Sequence, residues 1–218
     1  MTERKIIVYN ADEVLGHGVD PLNGFFYGYY PGKPDVKCLL GDERMQRIVP
    51  NMIGLNVYLA AKSVDCIVTA DEHEPDDDEI KIAGLPLHCM KKTWEAELID
   101  QLKIFNLRII TKKTTNSFIN TELMQYLRNR KPKVVIPYGV CSNICCLQAI
   151  ITYSAMADEL GIERIIVAKD CMTTFGDDFE LADKYAFDAL SYVPKVQLIE
   201  SYRDLEKVLL IPEPVKLK

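Results

Sequence analysis

KVVIPYGVCSNICCLQAIITYSAMADELGIERIIVAK (133–169) reads as strand, turn, helix and strand. KVVIPY (133–138) and RIIVAK (164–169) are continuous apolar runs of strand length, the pattern of strands buried on both faces. Between them CCLQAIITYSAMADELG (145–161) has helical spacing, with Gly161 placed to end the helix in the left-handed conformation. A strand, a covering helix and a second strand make one parallel crossover unit. Working outward, the same kind of run recurs as KIIVYNA (5–11), DCIVTA (65–70), LRIIT (107–111) and KVQLIE (195–200). Helical patterns alternate with them at 43–63, 94–103, 120–130 and 177–190, with Asn120 as an N-cap and Pro50 as a kink or late helix start. The expected fold class is α/β: a Rossmann-like three-layer sandwich, a six-stranded parallel sheet with helices on both faces, in one domain over 1–218. The glycine- and aromatic-rich stretch 14–42 is expected to be a long loop or arm. Within it NGFFYGYY (23–30) either packs over its own domain or serves a partner.

Composition excludes several classes. Apolar residues make up 48% and charged residues 27% of the 218, close to globular averages. The net charge of −6 repels phosphate backbones, so no nucleic-acid partner is expected. No apolar run reaches the roughly 20 residues of a membrane span, so no membrane partner is expected. The opening MTERKIIVYNADE reads as neither a signal nor a transit peptide. Seven cysteines, an odd number, then read as free thiols in a reducing cytoplasm.

In open α/β sheets ligands bind beyond the carboxyl ends of the strands. The residues that follow the runs are Asp12 after the first, Asp71 and His73 after the second, Lys112 and Lys113 after the third, and the turn GVCSNICC (139–146) after the fourth. Cys145 falls at the first turn of the following helix, where exposed N–H groups and the helix dipole favour a thiolate and could hold an oxyanion. The alternative is a buried structural thiol. Asp71, His73 and His88 offer two imidazoles and a carboxylate, a set suited to zinc, with iron or manganese as alternatives. The alternative there is a solvated acidic loop, since the segment runs EHEPDDDE.

These residues also fall in a family pattern. GVCSNICC resembles the G-V-A-T-D/E-x-C-V signature of the isochorismatase-like cysteine hydrolases. DEHEP (71–75) with LPLHCMKKTWEAEL (85–98) resembles D-W-H-P with W-P-x-H-C-x-x-G-T-x-G-A-E-L, and KKTTNSFINTEL (112–123) resembles K-x-x-x-S-x-F-x-x-T-x-L. The resemblance runs from about 5 to 175 and is nearest the nicotinamidase/pyrazinamidase branch. It implies Cys145 as nucleophile, Lys112 as the catalytic lysine, and Asp71, His73 and His88 as ligands of a divalent metal ion. The backbone N–H groups of Cys141 and Cys145 become the oxyanion hole. IIVYNADE (6–13) resembles the strand-D-x-Q opening, which puts Asp12 at the catalytic carboxylate; a shorter alignment puts Asn10 there.

The departures bear on substrate. The D-W-H tryptophan is Glu72, the tryptophan of W-P-x-H is Leu85, and the aromatic five residues after the catalytic acid becomes His17. In nicotinamidases aromatics at the last two places sandwich the pyridine ring, so His17 and Leu85 imply an altered pocket. The resemblance thus implies an amidase-type hydrolase that acts on a small-molecule amide through a cysteine thioester, in a homo-oligomer (dimer or tetramer). Two other readings stand beside it: a non-catalytic binding or regulatory protein of the same fold, and a hydrolase that uses no metal.

Overall fold

The crossover unit of residues 133–169 is present and recurs along the chain. The structure, a computed structural model, describes residues 7–213. Its main sheet has six parallel strands: β1 (Val14–Val19), β2 (Asp65–Asp71), β3 (Arg108–Lys112), β4 (Val134–Gly139), β5 (Arg164–Ala168) and β6 (Val196–Ile199). Their order in space is β3-β2-β1-β4-β5-β6. The longer helices are α1 (Val49–Ala61), α2 (Leu123–Arg130), α3 (Cys145–Ala155) and α4 (Phe179–Leu190). Among the described residues no helix is long and apolar enough to cross a membrane.

Side chains alternate across a strand, so each strand feeds two cores. On one face Val14, Val68, Ile136 and Ile166 pack with Met52, Leu55 and Leu59 of α1. On the other Leu15, Ile67, Val135 and Ile165 pack with Leu127 of α2, Ile150 and Tyr153 of α3, and Leu190 of α4. The three-layer α/β architecture is therefore the one expected, and the unbroken apolar runs follow from having both faces covered.

The central strand is not the expected one. VLGHGV (14–19), placed by its glycines in the arm, forms β1, pairing with β2 from Leu15↔Asp65 and with β4 from Val14↔Val134. Its glycines serve close packing rather than a loop. A Cβ on Gly16 would sit 2.5 Å from Cys66 Sγ and 2.9 Å from Leu59 Cδ1. Of the strand expected at 5–11, Lys5 and Ile6 lie outside the described residues; Ile7–Val8 pair in parallel with Leu209–Leu210 in a separate ribbon.

The rest of the arm folds onto its own chain. Phe25 and Phe26 are buried in a helical turn, Asn23–Phe26, and Tyr27 and Tyr30 lie against Trp94 with ring centres 5.3 and 5.4 Å away. Only Tyr29–Tyr30 and Lys33–Lys37 project, as an antiparallel hairpin. Three local expectations change or resolve. Pro50 marks a late helix start, after a 3-10 stretch at Glu43–Ile48. The segment 94–103 holds two separate turns, Trp94–Ala96 and Asp100–Lys103, rather than one helix. Asn120 has φ +54° and precedes α2 without capping it. Gly161 does end its helical turn, with φ +75°.

Candidate active site

Strand order reverses between β1 and β4, the place where open α/β sheets form a crevice. The elements deliver reactive side chains to that point. Asp71 is the last residue of β2 and Lys112 the last of β3, and the two are register partners. Asp20 follows β1 directly. From β4 the turn 139–144 leads to Cys145, the first residue of α3. The peptide between Val140 and Cys141 is cis.

Lys112 is 1% exposed and spends its three N–H donors inside the site. Its Nζ lies 2.8 Å from Asp20 Oδ2, 2.5 Å from Asp71 Oδ1 and 3.1 Å from the Thr114 carbonyl oxygen. Cys145 Sγ is 3.9 Å away. Asp20 is oriented from its other oxygen, which accepts the Asp71 backbone N–H at 2.9 Å. Ligating atoms of Asp20, Asp71 and Cys145 all lie within 4.8 Å of one another.

Burial and shared charge divide the two carboxylates. Burial raises the Asp20 carboxyl, the negative Asp71 raises it further, and Lys112 opposes both. Burial also acts to raise Asp71, but Lys112 and the two histidines outweigh it and hold that carboxyl well below the usual range. Burial works against the Lys112 ammonium, yet Asp20 and Asp71 keep it firmly charged. Burial pushes the Cys145 thiol well up, with Lys112 pulling the other way. One acid is thus held ionised and the other is free to exchange a proton beside the sulfur.

Asp71 also faces the two histidines. His73 Nε2 is 3.6 Å from Asp71 Oδ1, and His88 Nε2 is 3.7 Å from Asp71 Oδ2. His88 Nδ1 donates to the Pro86 carbonyl at 2.7 Å, which leaves its Nε2 lone pair aimed at the cluster. His73 is fully buried, its Nδ1 lies 3.6 Å from Asp77 Oδ2, and among the described residues neither ring nitrogen has a hydrogen-bond partner. A buried imidazole left unpaired on both sides is costly, and a ligand at Nε2 would relieve it. One atom each from Asp71, His73 and His88 lies within 4.8 Å of the others, so the donor set fits a divalent cation.

A cavity of about 70 Å³ opens over the sulfur, walled by Phe25, Leu40, Leu85, Ile144 and Phe175. A larger cavity of about 390 Å³ lies by β3; it touches Asp71 but neither Cys145 nor Lys112, so size does not mark the chemistry. The backbone N–H groups of Cys141 and Cys145 donate to no protein acceptor among the described residues.

The structure thus brings together Lys112, Cys145, Cys141, Asp71, His73, His88 and Leu85, and keeps two expected residues out. Asp12 sits in the exposed 3-10 turn Ala11–Glu13, before β1 rather than after it. A strand of six residues, about 20 Å long, separates it from the sulfur. Asn10 lies at the same end. The carboxylate that β1 delivers to the site is Asp20, beside Lys112 and Asp71. His17 points away from the cavity: it is fully buried in β1, bonded to Thr69 Oγ1 and Tyr153 Oη at 2.9 Å each. The residue five after Asp20 is Phe25, which lines the cavity edge-on to His88, ring centres 5.7 Å apart. Phe25 and Phe175 both give the cavity aromatic lining, and Leu85 supplies no ring at the second of the two expected positions. The signal for Asp20 was an acid at the end of VLGHGV (14–19), a run whose glycines weaken the apolar pattern, and Phe25 follows from it five residues on.

A parallel sheet in this order, with a cysteine at the helix following β4 and a lysine and two acids beside it, defines a class of three-layer α/β protein with a thiol, lysine and carboxylate cluster at its switch point. The chain belongs to the isochorismatase family: the isochorismatase domain model matches residues 19–194. No curated protein matches the sequence. Among solved structures it is similar to a nicotinamidase from Bacillus subtilis, 18% identical over 86% of this chain and 99% of that one, TM-score 0.69. It is also similar to an N-carbamoylsarcosine amidase from Thermoplasma acidophilum, 21% identical over 87% and 99%, TM-score 0.65. A pyrazinamidase from Pyrococcus horikoshii, solved in complex with zinc, is 19% identical over 86% and 98%, TM-score 0.65.

Proposed function

We propose that this protein is a cysteine hydrolase that cleaves the C–N bond of a small amide. The observation that carries the reading is the buried contact of Lys112 with Asp20 at 2.8 Å and with Cys145 at 3.9 Å, at the sheet's switch point. Asp20 takes the Cys145 proton, and Lys112 offsets the negative charge that results. The thiolate attacks the amide carbonyl. The Cys141 and Cys145 N–H groups receive the oxyanion, each donor worth about 3–4 kcal/mol where such donors have been removed. Asp20 returns the proton to the leaving amine, giving a thioester, and then takes one from the water that cleaves it.

A divalent ion held by Asp71, His73 and His88 would supply Lewis acidity and a docking point for a polar group of the substrate. The small cavity, about 70 Å³, with Leu85 in place of a ring, favours compact amides over a pyridine carboxamide. The test is ammonia release from nicotinamide and a panel of small amides by wild type and Cys145→Ala. Wild type should release ammonia from compact amides faster than from nicotinamide, and the variant should lose at least about a thousandfold. Equal rates from both proteins would remove Cys145 from the chemistry.

A further inference from the structure

The cavity over Cys145 has a charged residue in its wall that the proposed chemistry does not use. Glu79 lines it together with Thr115 and the apolar side chains. Its carboxylate is not left to swing in solvent. One oxygen accepts the Thr115 backbone N–H. Thr115 is itself tied to α3, its hydroxyl bonded to Gln148 at 2.9 Å. The Glu79 carbonyl accepts the N–H of Leu85 at 3.1 Å, which joins it to a second piece of the same wall. The nearby ammonium groups are engaged elsewhere: Lys112 by Asp20 and Asp71, Lys113 by Glu74 and Asp77, and Lys91 by Glu74. Among the described residues no Lys or Arg forms an ion pair with the Glu79 carboxylate, which lines the cavity with Phe25, Leu40, Ile144 and Phe175.

We propose that Glu79 selects amides that carry a positive charge at the end remote from the scissile carbonyl. The inference rests on the amidase reading and names the substrate class of that same site. Glu79 is half-buried beside an apolar wall, so a cation that pairs with it there gains more than it would at an open surface. The cavity, about 70 Å³, limits such a substrate to a short one. The carbonyl lies at Cys145 and the cationic nitrogen reaches Glu79, with a methylene or two against the apolar wall.

The experiment compares kcat/KM of wild type and Glu79→Gln on glycinamide and β-alaninamide against their uncharged isosteres, propionamide and butyramide. Glycolamide serves as a neutral hydrogen-bond donor. Because the ammonium group also activates the carbonyl by induction, the quantity read is the change in the charged-to-neutral ratio between the two proteins. Wild type should favour the charged amides, and Glu79→Gln should lower that ratio by about tenfold or more while keeping propionamide within about twofold. An unchanged ratio in the variant overturns this inference and leaves the amidase reading standing. So does glycolamide if it shares the full Glu79-dependent advantage, since the wall would then read a donor rather than a charge. Ammonia release from no amide of either kind by wild type overturns the amidase reading and this one with it.

Discussion

His17 shows what a single residue's placement does. Its ring is fully enclosed between Thr69 and Tyr153, and burial, with Lys112 adding to it, lowers its pKa from 6.5 to about 3. In the unfolded chain the imidazole takes a proton below about 6.5; in the folded chain it cannot until about 3. The unfolded state therefore binds more protons throughout that window, and stability falls as pH drops through it, by about 1.4 kcal/mol per unit. His17→Gln removes this contribution. Urea unfolding of both proteins should show the wild-type advantage shrinking by roughly 2 kcal/mol between about pH 6.5 and pH 5. A pH-independent difference would mean that His17 takes its proton in place. The same residue shows where reading the sequence stopped short. Reactive types at Lys112, Asp71, His73, His88 and Cys145 were legible because each follows a strongly apolar run or a spaced motif. Asp20 was not, because the strand before it contains Gly16 and Gly18, which weaken the apolar pattern. With β1 unrecognised, Asp12 stood in for Asp20 and His17 for Phe25.

At the scale of elements, the turn 139–146 must be held for its N–H groups to act together, and α4 holds it. Asp183 accepts the Ser142 hydroxyl at 2.5 Å through one oxygen, and through the other the Thr173 hydroxyl at 2.9 Å and Arg47 at 2.8 Å. One mostly buried carboxylate thus joins the nucleophile's turn, the segment after β5 and the approach to α1. Asp183→Asn keeps the volume but loses an acceptor and the charge opposite Arg47. It should cost about 2–3 kcal/mol in urea unfolding. It should also lower kcat more than it raises KM, because the turn that carries the N–H groups loosens while the walls from Phe25, Leu40, Leu85 and Phe175 stay. Alkylation of Cys145 by iodoacetamide, which needs no oxyanion hole, should change little. A parallel loss of alkylation would show that the nucleophile itself had moved. The bond between α4 and the turn joins residues 41 apart, and no local pattern in the sequence announces such a contact. Five of the six strands were legible from apolar runs, whereas the run 5–11 stood in for VLGHGV, whose membership required packing against Cys66 and Leu59 to be seen.

At the scale of the molecule, the excursion 71–93 leaves the sheet at Asp71, and its histidines return to that same point. His73 and His88 lie with ring centres 4.6 Å apart and planes tilted by 53°, both within 4 Å of the Asp71 carboxylate. Among the described residues neither nitrogen of His73 is within hydrogen-bond distance of a partner, with Asp71 and Asp77 oxygens each 3.6 Å away, so the folded chain carries an unsatisfied ring. A divalent ion binds only where the three side chains are assembled, in the folded chain, and so adds its binding free energy to stability. At a free zinc concentration about a thousand times Kd the gain is about 4 kcal/mol. Protein stripped with chelator should therefore melt several degrees higher when zinc is restored. The shift should be largely lost in His88→Ala, whose remaining pair, Asp71 and His73, holds zinc weakly. His73→Ala should show the same loss of response, with a smaller penalty in the metal-free state than its burial alone would predict, because the unpaired nitrogens leave with the ring. A zinc-induced shift retained in both variants would place the ion elsewhere on the molecule. No shift in wild type would leave Asp71 as the partner of Lys112 alone.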